Sequence, residues 1–211
     1  MELLQVIERV AGKIAPGRAP SASEAQVVKA LEIIGAHEPV GRIRLSKALG
    51  LGEGATRTLL RHLKKEGLIE GSRRGITLSK HGEKLFSSLR SKISEGIEIP
   101  NGSLTVGPFN VAVLVRDVAH QVKRGIEQRD AAIKAGALGA TTLVFSGNQL
   151  IMPFSEEAVF ENISSIHSML ISELGPKESD VIIVGSGKDK TSAEIGAKMA
   201  ALELLKSRSQ N

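Results

Sequence analysis

The sequence predicts a chain of mixed helix and sheet (α/β, or α+β) in two domains, residues 1–98 and residues 99–211. The first half shows helical spacing of its apolar residues, interrupted by one short hairpin, whereas the second half alternates strand-like apolar runs with helices. The stretch 96–108 between them contains three Gly and two Pro, which is typical of a linker or of the entry to a new domain.

The first half is predicted to contain five helices and a β-hairpin. Ser23 is a suitable N-cap for the second helix, and Gly50 stands where a helix C-terminus favours a left-handed residue. The dipeptide Arg73-Arg74 lies near the tip of the hairpin. The predicted helices are 2–14, 24–36, 45–49, 53–66 and 80–95, and the predicted hairpin is 67–79.

The second half has the predicted order β-α-β-β-α-β-α. This is the order of a split βαβ, or ferredoxin-like, α/β sandwich (βαββαβ) with one additional helix. The predicted strands are 109–116, 141–145, 149–153 and 181–184, and the predicted helices are 118–136, 155–174 and 190–207.

Composition excludes several classes of function. The 211 residues are 41% apolar, which is enough for packed cores, but they include no Cys, Trp or Tyr. Thiolate metal sites and disulfides are therefore excluded, and base stacking on aromatic side chains is disfavoured. The five His are scattered without a metal-binding spacing, and from the N-terminal residues we expect neither a signal peptide nor a membrane span. We expect a cytoplasmic protein without a cofactor, a metal or a membrane partner.

The net charge of +5 is unevenly distributed along the chain. Residues 1–100 hold 17 Lys and Arg against 11 Asp and Glu, whereas residues 101–211 hold 11 against 12. Between Arg42 and Arg74 there are nine basic residues and three acidic ones. A basic half beside a neutral half indicates that the first half binds a polyanion.

The string "LSKALGLGEGATRTLLRHLKKEGLIEGSRRGITLSKHGEKL" (45–85) has the order short helix, turn, longer helix, β-hairpin, helix. It resembles the winged helix-turn-helix domains of bacterial and archaeal transcription regulators, over roughly residues 24–95. Gly50 would make the turn, and Leu45, Ala48 and Leu49 would pack the first helix. One departure is that Gly52 and Gly54 stand at the start of the second helix, where such domains often have Ser, Thr or Pro. The resemblance implies a DNA-binding domain whose second helix enters the major groove of double-stranded DNA.

Helix geometry orients the second helix of this motif. At about 100° per residue, Thr56, Leu60 and Leu63 face inward. Gly54 and the predicted contact residues of this helix then face outward, with Thr58 and Lys65 at the margins. Arg57 and Arg61 are the best candidates for pairing with guanine. The full set of predicted DNA-binding residues is Arg42, Arg44, Lys47, Arg57, Thr58, Arg61, Lys64, Lys65, Arg73 and Arg74.

The stretch "VIIVGSGKDKTSAEIG" (181–196) superficially suggests a phosphate-binding loop. A Walker A loop would need Gly at position 182 and a hydroxyl at position 189, where the chain has Ile and Asp. The Rossmann fingerprint lacks its third glycine and its following strand. We favour a strand-to-helix turn in which Asp189 or Thr191 caps the helix. The alternative is a small anion site formed by Gly185, Ser186, Gly187, Lys188 and Lys190.

No set of side chains forms a catalytic constellation, and we do not expect an enzyme. The whole chain is similar to archaeal winged-helix proteins of uncharacterised function, which implies a regulator whose second domain senses a ligand or mediates assembly. We expect a homodimer, with helices 2–14 and 80–95 offering apolar surface for pairing, and a small anionic effector. The alternatives are a winged helix fused to a small metabolic enzyme acting on an anionic metabolite, and a protein-interaction module of nucleic-acid machinery.

Overall fold

The computed structural model describes residues 2–12, 22–36, 39–153 and 164–207. The chain divides into two compact units, Met1–Leu89 and Arg90–Asn211. This division precedes the boundary expected after residue 98, because the chain following residue 90 already pairs with the sheet of the second unit. Ile93 forms an isolated antiparallel bridge with Val115.

The first unit contains five helices and a two-stranded hairpin. Its helices are α1 (Glu2–Ala11), α2 (Glu24–Gly35), α3 (Arg42–Leu49), α4 (Glu53–Lys65) and α5 (Lys80–Arg90), and its strands are β1 (Ile69–Ser72) and β2 (Gly75–Leu78). The sequence predicted all of these elements, but α3 begins three residues earlier than expected and α5 ends at Arg90 instead of residue 95. Residues 13 and 14 of the first predicted helix lie outside the described residues.

Helix α1 buries its apolar face within the first unit, against α2 and α4. Leu3, Val6, Ile7 and Val10 on this face are at most 6% exposed. Leu85 and Leu89 of α5 are buried as well. The apolar faces that the sequence offered for pairing two copies are therefore already covered within the monomer.

The second unit is a five-stranded antiparallel sheet with helices on both faces. Its elements are β3 (Ile97–Glu98), β4 (Phe109–Val115), α6 (Ile126–Lys134), β5 (Gly139–Ser146), β6 (Gln149–Ile151), α7 (Ser164–Leu174), β7 (Val181–Gly187) and α8 (Lys190–Ser207). The strand order is β3-β4-β7-β5-β6. Leu170 of α7 packs with the side chains of Leu114, Leu143 and Ile182 on one face of the sheet, and α6 and α8 pack on the other.

The predicted βαββαβ order with a closing helix is confirmed, and both βαβ units are split. β7 lies between β4 and β5, and β5 lies between β6 and β7. The sequence pattern did not predict β3, which adds a strand at the edge beside β4. Among the described residues, no helix is both long and apolar enough to cross a membrane.

Some predicted bounds in this unit differ from the structure. The helix expected at 118–136 is replaced by a short 3-10 helix (Ala119–Gln121) and by α6, because Gly125 takes a left-handed conformation (φ 71°) immediately before α6. The strand expected at 181–184 continues to Gly187. Residues 155–163 of the next-to-last predicted helix lie outside the described residues.

Candidate nucleic-acid interface

A tight turn at Gly50 joins α3 to α4. Gly50 has a φ of 61°, and its N–H donates to the carbonyl of Lys47 at 3.2 Å. Ser46 binds Leu51 twice, because it accepts the Leu51 N–H through its carbonyl at 3.1 Å and donates its hydroxyl to the Leu51 carbonyl at 2.6 Å. A glycine is favoured here because a left-handed φ strains residues with a Cβ. The turn thus fixes the angle between the two helices of the motif.

The inner face of α4 is formed by Thr56, Leu59 and Leu63, all fully buried. The helical spacing predicted Leu60 in place of Leu59, and this detail is wrong because Leu60 is only half-buried. Both leucines lie next to Thr56 on the helix, at i+3 and i+4, so spacing alone does not separate them. The hydroxyl of Thr56 donates to the carbonyl of Gly52 at 3.1 Å, which satisfies this buried polar group inside the helix.

The outer face of α4 carries the predicted reading residues. Arg57, Arg61, Lys64 and Lys65 are exposed, and Thr58 is half-buried. Arg57 and Arg61 are one turn apart, which separates them by about 6 Å along the helix axis. That distance is close to two base-pair steps of about 3.4 Å each. The helix therefore presents two guanidinium groups at a spacing suited to neighbouring bases.

The wing is a hairpin with a two-residue tip, Arg73-Arg74. Ser72 pairs with Gly75 in the strand register, so only the two exposed arginines form the loop. The hydroxyl of Ser72 accepts the N–H of Arg74 and donates to the carbonyl of Gly75, each at 3.2 Å. Ile76 and Val40 exchange two backbone hydrogen bonds of 2.9 and 3.0 Å, which adds a third extended segment to the hairpin. The tip is thus held by local hydrogen bonds, with both arginine side chains in solvent.

Arg42 and Arg44 lie in the first turn of α3, and Lys47 lies in its last turn; all three are exposed. The N-cap of α3 is Gly41, which provides no side-chain hydrogen bond. Positive charge near a helix N-terminus is unfavourable by about 0.3–1 kcal/mol because of the helix dipole. A nearby phosphate would relieve this repulsion and accept hydrogen bonds from the free amides of the first turn.

The positive charge of this surface is not neutralised by neighbouring carboxylates. None of the nine predicted Arg and Lys contact residues forms an ion pair within the described part of the chain. In the first unit, Arg9 instead pairs with Glu66 at 3.1 Å, and His62 contacts the carbonyl of Val10 at 2.8 Å. These contacts attach α1 to α4 through residues that do not belong to the predicted contact set.

The predicted anion site at 185–190 has a different environment. Gly185 and Gly187 belong to β7 and lie directly beneath α8; a Cβ on Gly185 would come within 2.6 Å of the Ala197 nitrogen. Ser186 is 1% exposed, donates its hydroxyl to Asn110 Oδ1 at 2.6 Å and accepts the N–H of Val106 at 3.1 Å. Close packing accounts for the two glycines, and internal hydrogen bonds account for the serine.

The charged end of the same stretch is also partnered in part. The carboxylate of Asp189 accepts the N–H of Ser192 at 2.7 Å, so Asp189, one of the two caps that the sequence predicted, caps α8. Lys190 donates to Glu98, and this hydrogen bond raises the pKa of Lys190 above its usual value. Lys188 is exposed. A carboxylate thus already lies at the helix N-terminus, where the alternative interpretation of the sequence had an external anion bind.

The turns at the other end of the sheet form a separate group. Asp180 is 3% exposed and accepts hydrogen bonds from Arg116 at 2.7 Å and from the Asp117 N–H at 2.9 Å. Glu178 accepts the Ser146 hydroxyl at 2.7 Å. These contacts connect the ends of strands. Among the described residues, no group of three or more His, Asp and Glu could hold a metal ion.

The two units match different families of known proteins. Residues 26–93 match the family model described as the CggR N-terminal DNA binding domain. Residues 106–204 match a domain of unknown function, DUF4443. Among solved structures, the chain is similar to "Hypothetical protein PH0730 from Pyrococcus horikoshii OT3", with 26% identity and a TM-score of 0.70, over 87% of this chain and 97% of that chain. The chain has no match among the curated proteins.

The N-terminal unit is therefore a DNA-binding domain of the winged-helix type, joined to a C-terminal sheet domain of unknown function. The similarity to the archaeal protein extends over parts of both units.

Proposed function

We propose that the protein is a DNA-binding transcriptional regulator and not an enzyme. In this proposal α4 enters the major groove, where Arg57 and Arg61 pair with bases, and Arg73 and Arg74 contact phosphates beside the groove. The observation that carries the proposal is the exposed and unneutralised row of cations on α3, α4 and the hairpin tip. A row of this kind is the electrostatic footprint of a protein that binds a polyanion.

The division of labour within this surface follows from its geometry. Side chains at the middle of α4 project from a rigid helix, which suits the reading of base edges. Arginines at the tip of a short hairpin and lysines at the end of α4 carry charge without a fixed direction, which suits contacts with the sugar-phosphate backbone. The C-terminal unit then acts as the regulatory part, either by sensing a ligand or by pairing two copies of the chain.

The test is DNA binding by the full-length protein to a pool of genomic fragments at several salt concentrations. We expect affinity to fall steeply with salt, with a slope close to the number of phosphates contacted, and we expect a preferred sequence to be recovered. A pseudo-palindromic preferred sequence would show that two copies bind together. Weak binding that is independent of salt would contradict the proposal and favour a protein-interaction module.

Two double variants are compared, and each removes two positive charges from one of the two units. We expect Arg57→Ala with Arg61→Ala to weaken specific binding by more than tenfold and to relax the sequence preference, because each bidentate base contact contributes about 1–3 kcal/mol. Lys134→Ala with Lys177→Ala is the control, since it removes the same charge from exposed positions of the second unit. Equal effects of the two pairs would show that only net charge matters and would overturn base reading by α4.

A further inference from the structure

Helix α6 has its bulky apolar side chains on the outside. Its packed face, towards α8 and β5, is formed by Gln128, Ala131 and Ala132. On the opposite face, Ile126 and Ile133 are 42% and 48% exposed. A surface helix ordinarily has the reverse arrangement, with the large apolar residues buried and the polar residues outside. Large apolar residues on the outer face are typical of a helix that contacts a second surface.

The exposed apolar residues are concentrated in the second unit. Six large apolar side chains are exposed among the described residues, and only Ile43 belongs to the first unit. A contact made through the second unit uses none of the predicted DNA-contact residues. The other five exposed residues are Val106, Phe109, Ile126, Ile133 and Leu138.

Helix geometry places two charged residues between the exposed isoleucines of α6. Ile126 and Ile133 are seven residues apart, which is almost two turns and about 10 Å along the axis. Arg129 and Asp130 lie halfway between them, and each points about 50° to one side of the line through the isoleucines. Both charged side chains are about half exposed, and they contact each other at 3.1 Å. We call these four residues the α6 outer stripe.

The charges of the α6 outer stripe determine how a second copy fits it. A two-fold axis parallel to α6 brings each isoleucine against the same isoleucine of the partner. On both flanks, Arg129 then lies opposite Asp130 of the partner, as in parallel coiled coils. In an antiparallel pair, Arg129 would instead face the partner's Arg129, and Asp130 would face the partner's Asp130. Charge complementarity therefore selects a second copy in the parallel arrangement.

We propose that the protein forms a homodimer in which the α6 outer stripes of two copies pack in parallel. Ile126 and Ile133 form the apolar centre, and ion pairs between Arg129 and Asp130 of opposite copies flank it. Because α6 has only nine residues, the contact is smaller than a standard interface of about 1,600 Å², so the dimer dissociates on dilution. Pairing itself does not depend on DNA, but its role in placing two DNA-binding domains on one site rests on the proposed function.

The first experiment measures the mass of the full-length protein by sedimentation equilibrium, without DNA, over a wide range of protein concentrations. We expect the mass to rise from one chain to two with concentration. Ile133→Glu puts two carboxylates into the apolar centre, so we expect the Kd of the dimer to rise about tenfold or more. Glutamate is a good helix former, so α6 itself is kept.

Val106→Glu is the matched control for this variant. Val106 is exposed in the same unit but lies outside α6, so we expect an unchanged Kd. A protein that stays monomeric at every concentration would overturn the proposal and indicate that the stripe contacts a different protein. An equal rise in Kd for both variants would overturn the assignment of the interface to α6.

A charge exchange tests the flanking ion pairs. Arg129→Asp places carboxylates opposite each other on both flanks, so we expect the Kd of the dimer to rise about tenfold. Arg129→Asp combined with Asp130→Arg restores opposite charges across the interface, so we expect the Kd to return towards that of the unmodified protein. Neither residue is buried, so all these variants are expected to fold, which circular dichroism verifies. Failure of the double variant to recover pairing would contradict the proposed flanks.

Cysteine cross-linking determines the orientation of the two helices, because the chain contains no Cys of its own. In the parallel arrangement, Ile126→Cys alone and Ile133→Cys alone each bring two thiols together across the axis. An antiparallel pair would be cross-linked only in a mixture of the two variants. We expect covalent dimers from each α6 variant alone, under conditions in which the exposed control Ile43→Cys gives none. Cross-linking in the mixture only would overturn the parallel arrangement.

DNA binding separates this proposal from the proposed function. Arg57→Ala with Arg61→Ala is expected to leave the Kd of the dimer unchanged, because both residues lie in the other unit. If the protein dimerises but does not bind DNA, the proposed function fails and the dimer stands. If Ile133→Glu abolishes the dimer and the affinity for a pseudo-palindromic site is unchanged, the dimer stands and its role in DNA binding is overturned.

Discussion

The helices α4 and α8 have similar residue types near their starts, but the packing around those residues differs. Both follow a glycine-containing turn and carry basic residues near their starts. Around Gly52, before α4, a Cβ would meet nothing within 4 Å. Around Gly187, before α8, it would come within 2.9 Å of the Asp189 carbonyl, among several atoms of α8. The first glycine leaves a helix start open to solvent, and the second lets a helix pack closely on a strand.

The charges show the same contrast. The cations on the outer face of α4 have no carboxylate partner among the described residues, whereas Lys190 of α8 pairs with Glu98 and Asp189 caps the helix. A glycine near a basic residue at a helix start therefore does not by itself predict an anion-binding surface. The free space around the glycine and the counter-charges near the lysine decide whether the pair forms a surface for an external anion.

The largest effect that would test this comparison is expected from Gly185→Ala. Its Cβ would overlap the backbone of α8, whose Ala197 nitrogen lies 2.6 Å from the position of that atom. Neither the helix nor the central strand β7 moves easily, so we expect a loss of about 3 kcal/mol in the free energy of unfolding. Urea unfolding followed by circular dichroism measures it, since the chain has no Trp to provide fluorescence. A neutral substitution would show that α8 is not closely packed on β7.

The opposite sign is expected from Gly54→Ala in the first turn of α4. The added Cβ meets nothing within 4 Å, and alanine favours a helix over glycine by about 1 kcal/mol. We therefore expect the free energy of unfolding to rise by about 0.5–1 kcal/mol, measured in the same way. A destabilised variant would indicate that Gly54 is required for a contact inside the protein. Reduced DNA affinity in a stabilised variant would instead place the α4 start close to DNA.

The sequence predicted the periodic elements well, because local spacing determines which face of an element is buried. The bounds of α8 agree with the prediction, and the outward residues of α4 are exposed as expected. Spacing could not choose between Leu59 and Leu60, since they are neighbours on one stripe and only the packing of the whole unit determines that Leu59 is buried.

The close contact between Gly125 and Thr142 was missed for a different reason. These two residues are far apart along the chain and meet only when α6 packs on β5. A helix was expected to run through Gly125, although glycine in a helical pattern is also a signal for a break. Nothing local to Thr142 distinguishes it from Thr141, since the two differ only in which face of β5 they occupy and therefore in whether a partner is within reach.

The smallest effect is expected from Lys190→Ala, which removes the ion pair with Glu98. Both side chains are about 60% exposed, at 59% and 62%, so solvent screening limits the loss of stability to about 0.5 kcal/mol or less. The hydrogen bond to Glu98 raises the pKa of Lys190 from its usual value of 10.5, so the contribution is fully present below about pH 10.5 and is lost as the pH rises through the raised pKa. Urea unfolding of both proteins at pH 7 and above pH 11 measures this difference. A loss of stability at pH 7 as large as that of Gly185→Ala would mean that α8 depends on this ion pair for its attachment to the sheet. The cations of α8 and α4 would then differ in their contribution to stability as well as in their ion pairing.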